Sequence, residues 1–277
     1  MTGRFTVDDL ARPVALGCAA RRVVCLAPSC TECLLAIGGA DRLVGVDDHS
    51  EVPDGDALAR IGGFKTADAG RILALAPDLV VAASLHAVSL VPPLAAAGLR
   101  VFVTRPQTVN AIVDGMARLA GILGIADKAA AHLTRCHARV DAVVERSIRS
   151  RHRPLVYVEL SPDGHTGGPQ SFLDDLVTKA GGVNLGGVGR VEWPRLSHRL
   201  VRRLDPDVIV IARYPGSASP DTVAKRDGWA AVSAVTAGRV IEFPAGMVKR
   251  PGPGVIDGLE RLANVIDHWT DDQSVDA

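Results

Sequence analysis

The sequence predicts an α/β fold of two Rossmann-like lobes joined by one long helix, and three observations support it. Short β-branched runs alternate with helical stretches along most of the 277 residues. Several runs are aliphatic throughout, which is typical of parallel strands buried on both faces. The segment LAPDLVVAA at 75–83 is matched by LDPDVIVIA at 204–212, which indicates that both lobes share one architecture.

The first lobe is predicted to alternate strands with helices. We predict strands at 22–27, 43–47, 79–83 and 99–103, and helices at 30–37, 68–76, 88–97 and 108–123. Ser29 is the expected N-cap of the first helix, because a serine hydroxyl accepts backbone N–H groups there. Gly98 is the expected C-cap of the helix at 88–97, where a left-handed residue is favoured.

A long helix and a second lobe follow. Residues 126–149 repeat apolar side chains at helical spacing and would span roughly 35 Å, so they are expected to connect the lobes. The second lobe contains predicted strands at 154–158, 207–212 and 239–243 and helices at 171–181, 197–204, 220–226 and 253–269. We therefore expect an N-terminal lobe at 1–125, the connecting helix at 126–149 and a C-terminal lobe at 150–277.

Composition excludes several functional classes. Lysine plus arginine equals aspartate plus glutamate at 31 each, so the basic excess expected of a nucleic-acid binder is missing. The most apolar stretch, 72–103, is interrupted by prolines, Asp78 and His86 and predicts no transmembrane segment. The first residues resemble no signal peptide, which predicts a cytosolic protein unless a leader has been removed.

Three histidines follow predicted strands, where ligands bind in open α/β sheets. These are His49, His86 and His165. We expect them to bind a metal or to contact a metal chelate, or else to serve local hydrogen bonds in their loops. No GxGxxG follows a strand, and neither GxxxxGK[ST], HExxH nor GxSxG occurs, which disfavours nucleotide binding and the commonest hydrolases.

The cysteines offer a second set of candidate ligands. Cys25, Cys30 and Cys33 have the C-x4-C-x2-C spacing of some iron–sulfur proteins. The alternative is that Cys25 and Cys33 are small buried hydrophobic residues. Cys30 lies at the expected helix N-terminus, which would lower its pKa and make the thiol reactive or ligand-facing. The five cysteines are an odd number and favour reduced thiols over a disulfide framework.

Aromatic residues form only 4% of the chain, so the position of each one is informative. Phe64 and Trp193 lie in loops bounded by glycine or proline. Loop aromatics of this kind often line a ligand site. The alternative is packing beneath a loop.

Many ordered segments resemble the substrate-binding proteins for cobalamin and iron chelates of ABC importers. The first is RVVCLAPSCTECLLAIGGADRLVGVDDHSEVP, followed by IGGFKTADAGRILALAPDLVVAA, GGPQSFLDDLVTKAGGVNL, EWPRLS, DPDVIVI, GRVIEF and RPGPGVIDGLERLA. The resemblance extends from about Phe5 to Trp269. It implies two α/β lobes bridged by a single long helix, with a ligand cleft between the lobes.

The resemblance implies binding of a small metal chelate by a monomer, not catalysis. Cobalamin or another corrinoid is the nearest ligand class, followed by iron–siderophore or haem. Ligand-contacting positions carried over by the resemblance are Ser29, Cys30, Thr31, His49, Phe64, Lys65, His86, His165, Trp193, Met247 and Arg250. A direct metal set would be His49, His86, His165 and Cys30, since imidazole ligates cobalt or iron axially.

Two positions depart from the importer-coupled members of that family. Those members carry a glutamate on each lobe for docking onto a membrane permease, whereas the matching residues here are Gly70 and Arg199. We therefore expect weak permease docking. Two alternatives to chelate import remain: a cytosolic metal-handling or iron–sulfur protein that uses thiols and histidines, and an enzyme acting on a corrinoid. The family resemblance favours a periplasmic location, whereas the missing leader favours a cytoplasmic one.

Overall fold

The computed structural model describes residues 4–53, 58–150 and 152–275. The chain divides into two compact units. Unit 1 is Met1–Pro106 with Ala111–Cys136, and unit 2 is Gln107–Asn110 with His137–Ala277. Among the described residues no helix has the length and apolar character needed to cross a membrane.

Unit 1 is built around a parallel sheet. Its five strands run in the order β5-β4-β3-β6-β7. They are β3 (Val23–Cys25), β4 (Leu43–Val46), β5 (Ala59–Arg60), β6 (Leu79–Ala83) and β7 (Arg100–Thr104). Aliphatic side chains of these strands pack against the helices in a core that includes Val24, Val80 and Ile72. Burial of this kind explains the near-continuous aliphatic runs in the sequence.

The helices of unit 1 follow its strands. They are α1 (Pro28–Ala36), α2 (Ala69–Ala74), α3 (Val91–Ala96) and α4 (Val109–Leu123), whose first two residues belong to unit 2. An antiparallel pair, β1 (Phe5–Val7) with β2 (Pro13–Ala15), precedes the sheet. The long helix α5 (Ala126–Ser147) contributes its residues up to Cys136 to unit 1 and the remainder to unit 2.

Unit 2 has a parallel sheet of four strands in the order β11-β10-β8-β9. They are β8 (Leu155–Glu159), β9 (Val183–Asn184), β10 (Val208–Arg213) and β11 (Val240–Pro244). Its helices are α6 (Phe172–Lys179), α7 (His198–Leu204), α8 (Pro220–Ala224), α9 (Ser233–Thr236), α10 (Ala245–Val248) and α11 (Gly254–Val275). Tyr157, Ile209 and Trp229 lie in one of its core clusters.

The repeated P-D segments occupy equivalent places in the two sheets. In unit 1 the Asp78 carboxylate accepts the backbone N–H groups of Arg21 and Arg22, just before β3. In unit 2 the Asp207 carboxylate accepts the N–H of Leu155 at 2.7 Å, where β8 begins. Each aspartate therefore ties the start of one strand to the start of its neighbour, which explains why the sequence repeats.

The predicted elements are present, most of them with shifted ends, while the short strands β5 and β9 and the short helices α9 and α10 were not predicted. The first helix also begins earlier than expected. Its N-cap is Ala27 and Pro28 is its first residue, so the prediction of Ser29 as the N-cap was wrong. Proline favours this position because its φ angle suits a helix and it lacks an N–H that would have no partner. The C-cap of α3 is Ala97, so the prediction of Gly98 as the C-cap was wrong by one residue. Gly98 follows with φ +82°, the left-handed conformation that favours glycine just after a helix.

Candidate functional site

The predicted ligand histidines lie at the carboxyl ends of strands beside the points where strand order reverses. In unit 1 the chain continues from β3 to β4 on one side and later to β6 on the other, and His86 follows β6. In unit 2 the chain continues from β8 to β9 on one side and later to β10 on the other, and His165 follows β8. Ligands of open α/β sheets bind at such reversal points.

The candidate surface of unit 1, which we call the His86 surface, consists of His49, Phe64 and His86. The rings of Phe64 and His86 meet edge to face with centroids 5.5 Å apart. Phe64 is 48% exposed, whereas His86 is 1% exposed. Neither ring nitrogen of His86 has a hydrogen-bond partner among the described residues. Burial lowers the pKa of His86 below its ordinary value, so the imidazole is held neutral.

A buried polar network holds the loop that carries His49. Thr31 Oγ1 lies 2.8 Å from Ser50 Oγ, and Ser50 donates to the Asp47 carboxylate. The other oxygen of that carboxylate accepts the backbone N–H of His49. A Cβ at Gly63 would lie 3.2 Å from His49 Nε2, so the ring rests on this glycine. The network thereby sets the position of the exposed His49.

The remaining predicted residues of unit 1 differ in accessibility. Ser29, Cys30 and Thr31 are buried, at 6%, 1% and 0% exposure, and Lys65 is exposed. Cys30 Sγ lies 3.7 Å from Thr104 Oγ1 at the end of β7. Of these residues, Thr31 is linked through Ser50 to the loop that carries His49, and ligand contact by Ser29, Cys30 and Lys65 stays a prediction.

The structure corrects the prediction for Cys30. A helix N-terminus was expected to lower its pKa, but burial raises the pKa of this thiol to about 12. Desolvation disfavours the thiolate more strongly than the short helix favours it. Burial likewise raises the pKa values of Cys25 and Cys33. These three cysteines are free and buried, as small hydrophobic residues are.

The direct metal set is not assembled either. In the described part of the chain, no group of three or more histidine, cysteine, aspartate or glutamate side chains is placed to hold a metal ion. Cys30 does not suit the predicted set of His49, His86, His165 and Cys30, because burial raises the pKa of its thiol and thiolate is the form that ligates metals. The thiol-based iron–sulfur alternative loses its support for the same reason.

The candidate surface of unit 2, which we call the His165 surface, consists of His165, Trp193 and Arg195 with Ser161 and Asp163. The backbone pairs His165 with Arg195 in an antiparallel bridge. His165 Nδ1 lies 3.0 Å from Asp163 Oδ1, and Arg195 contacts the other carboxylate oxygen. Trp193 is 41% exposed, and its ring centroid lies 5.6 Å from that of Phe172. This surface thus combines an exposed imidazole with an exposed indole, carried by two segments whose backbones are hydrogen-bonded to each other.

Residues after β10 and β11 add a cationic group to unit 2. Lys249 Nζ lies 3.5 Å from the centre of the Tyr214 ring, a cation–π contact. Burial and then Arg250 lower the pKa of Lys249. Met247 and Arg250 are half-buried, in α10 and just after it. The structure thus places Met247 and Arg250 near the carboxyl end of β11, and their contact with a ligand stays a prediction.

Sequence reasoning missed Asp163 and Arg195. Both contribute side chains to the polar cluster around His165. Asp163 lies two residues before His165 in SPDGH, and this spacing was the available signal. No sequence signal indicated Arg195, because it lies 32 residues from Asp163 and the two side chains meet only in the folded structure.

Comparison with known proteins agrees with this architecture. The periplasmic binding protein family model matches residues 23–246. An uncharacterized ABC transporter substrate-binding lipoprotein of Bacillus subtilis, YvrC, is 27% identical over 94% of this chain and 85% of its own. A vitamin B12-binding protein of Yersinia pestis is 30% identical over 70% of each chain.

A solved structure supports the same assignment. The periplasmic haem-binding protein RhuT from Roseiflexus superposes with a TM-score of 0.78 and 25% identity, covering 91% of this chain and 100% of its own. The match of the family model spans most of both units and includes the strands that carry both candidate surfaces. The chain therefore belongs to the periplasmic binding protein family.

Proposed function

We propose that this chain binds a metal-containing macrocycle, with cobalamin or a related corrinoid as the leading ligand and haem as the second. The observation that carries the proposal is that each unit presents, at the carboxyl end of its sheet, an exposed aromatic ring and a histidine. These are Phe64 with His86 in unit 1 and Trp193 with His165 in unit 2. The names of the vitamin B12-binding and haem-binding relatives point to the same ligand class.

Physical chemistry favours a flat metallated ligand on such surfaces. Aromatic side chains bury large apolar areas and stack against flat rings, while imidazole is a common ligand of cobalt and iron. Iron–siderophore complexes are a further candidate, but they offer less flat apolar area for Phe64 and Trp193. The proposed role is binding, in keeping with the substrate-binding family.

The test is titration of the purified protein with aquocobalamin, haemin and a ferric hydroxamate siderophore, followed by absorbance and calorimetry. We expect saturable binding of aquocobalamin or haemin with one macrocycle per chain. Binding of neither would refute the proposal. Saturable binding of the siderophore alone would also refute it.

Aromatic variants test the surfaces themselves. Phe64→Ala and Trp193→Ala should each weaken binding roughly three- to tenfold, since a stacked aromatic contact is worth about 0.5–1.5 kcal/mol. Phe5→Ala is the matched control, because Phe5 is 64% exposed on β1 and belongs to neither surface. Equal affinities for all three variants would argue against binding at these surfaces.

We also propose that coupling to an ABC permease is weak. Gly70 lies in the first turn of α2 and Arg199 in the first turn of α7, and both are exposed. The resemblance places docking glutamates at these two positions. Gly70 lacks the negative charge of a glutamate, and Arg199 carries the opposite charge. Both differences reduce electrostatic complementarity with a permease, which governs the rate of encounter and the orientation of docking.

A further inference from the structure

The side chains around His165 form a polar cluster that orients the imidazole and selects which of its nitrogens is protonated. Asp163 Oδ1 accepts the Ser161 hydroxyl at 2.5 Å and lies 3.0 Å from His165 Nδ1. Arg195 donates to Asp163 Oδ2, and its Nε donates to the Asp163 carbonyl oxygen at 3.1 Å. The Ser161 hydroxyl, the His165 imidazole and the Arg195 guanidinium all meet this carboxylate. Its ion pair with Arg195 is the pairing of an ionised carboxylate.

An ionised carboxylate determines which nitrogen of His165 carries the proton. It has lone pairs and no hydrogen, so it only accepts hydrogen bonds. Ser161 Oγ, 3.3 Å from His165 Nδ1, already directs its hydrogen to Asp163. The proton on the imidazole must therefore be on Nδ1. In the neutral ring the lone pair then lies on Nε2.

Nε2 of His165 is available to a ligand. The side chain is 48% exposed, and Nε2 makes no hydrogen bond to any residue that the structure describes. A neutral imidazole with Nδ1–H bound to a carboxylate and Nε2 facing solvent is the arrangement found behind metal-ligating histidines. The carboxylate orients the ring and increases the electron density at Nε2.

The backbone holds this cluster in place. Leu160 N–H donates to His165 O, Thr166 N–H to Pro194 O and Leu196 N–H to Gly164 O, each at 2.9–3.0 Å. A Cβ at Gly164, where φ is +89°, would lie 2.0 Å from Leu196 O, so only glycine allows this close pairing. A ligating imidazole on a well-paired loop loses little conformational entropy on binding.

The other two histidines lack such an anchor. The His86 imidazole is buried, and no carboxylate among the described residues accepts a hydrogen bond from its ring nitrogens. At His49 the Asp47 carboxylate accepts the backbone N–H and not the ring. Of the three predicted histidines, His165 is the one prepared for ligation.

We propose that His165 Nε2 is an axial ligand to the metal of the bound macrocycle, with Asp163 as the positioning residue. This inference rests on the proposed function. The step is a ligand exchange: the Nε2 lone pair forms a bond to Co(III) or Fe(III) while the bond from the metal to its water breaks. The water leaves intact, and no electron is transferred. The negative charge of Asp163 offsets part of the metal's positive charge through the imidazole.

The test uses the full chain with aquocobalamin and with haemin, and follows absorption bands and calorimetric affinity separately. Wild type should shift the bands of at least one probe as water is replaced by nitrogen. His165→Ala should lose that shift and bind roughly 10- to 100-fold more weakly, and added imidazole should restore the bands. Asp163→Asn should keep the shift but weaken binding by about tenfold.

Controls separate this inference from the proposed function. His268→Ala should keep the wild-type bands and affinity, because His268 is exposed on α11 and belongs to neither surface, and thermal melting should show that all variants are folded. If His165→Ala binds with wild-type bands, axial ligation by His165 is refuted while macrocycle binding stands. If wild type binds neither probe, the proposed function is refuted, and axial ligation by His165 is refuted with it.

Discussion

Glu159 and Arg226 form a buried ion pair in unit 2. Both guanidinium nitrogens Nη1 and Nη2 bind the carboxylate, at 2.6 and 2.7 Å. Glu159 is 1% exposed, and Arg226 also stacks over Trp229 at 4.8 Å. Removing one partner would leave the other charge buried without compensation, which costs far more than the pair contributes.

We expect Arg226→Met to lower the free energy of unfolding by about 3–5 kcal/mol, measured by urea denaturation. Arg203→Met is the control, because Arg203 is exposed on α7, and it should change stability by less than about 0.5 kcal/mol. The double variant Glu159→Leu/Arg226→Met should recover most of the loss, because no buried charge remains. A double variant as unstable as the single one would contradict this account.

The buried imidazole of His86 predicts a pH dependence. Burial lowers its pKa below the ordinary value of 6.5, so the unfolded chain binds a proton that the folded chain excludes. Its contribution to stability is present above pH 6.5 and is lost as the pH falls below it. His86→Leu should flatten the decline in unfolding free energy between pH 7.5 and 5.5. The difference in slope is at most about 1.4 kcal/mol per pH unit, and identical slopes would argue against a buried neutral imidazole.

At the scale of elements, the join between α2 and β6 contains a strained residue. Ala76 has φ +45° two residues after the end of α2, where glycine is the usual occupant. The equivalent residue of unit 2, Asp205, also has a positive φ, at +50°. Its side chain accepts both the N–H and the hydroxyl of Ser233 at 2.7 Å. Those hydrogen bonds offset the strain at Asp205, whereas Ala76 has no side-chain hydrogen bond to do so.

Ala76→Gly should therefore raise the free energy of unfolding by about 1 kcal/mol, the cost of a left-handed alanine. Ala74→Gly is the matched control two residues earlier, within α2. It should lower stability by about 0.5–1 kcal/mol, because glycine weakens a helix. Thermal or urea denaturation measures both. A loss of stability in both variants would show that the positive φ of Ala76 does not lower the free energy of unfolding.

Sequence predicted the long elements well because burial imposes a pattern on them. β6 has the predicted bounds, 79–83, since every side chain from Leu79 to Ala82 is buried. The two-residue strands β5 and β9 are too short to show any period. Helix α1 begins at Pro28 and not after Ser29, because backbone geometry and not a side-chain hydrogen bond sets its start.

At the scale of the whole molecule, the sequence predicted which loops carry candidate ligand groups but not their chemical state. The histidines follow strands as expected, because α/β topology places loops there. Whether an imidazole is buried like His86 or paired with a carboxylate like His165 depends on contacts distant in sequence. The same limit explains the error at Cys30, whose desolvation is set by packing and not by its helix position.

The residues at positions 70 and 199, glycine and arginine in place of glutamates, give a prediction for the complete transport system. In liposomes containing an ABC permease for vitamin B12, the wild-type chain should stimulate ATP hydrolysis only at high concentration, since docking glutamates are missing. Gly70→Glu/Arg199→Glu should lower the half-maximal concentration roughly five- to thirtyfold, because two exposed charge pairs contribute about 1–2 kcal/mol together. Arg135→Glu reverses an exposed charge on α5 and should have no such effect. Added salt should remove the gain, as expected for exposed charges. Stimulation by the wild type at the same concentration as the double variant would show that these two positions do not control docking.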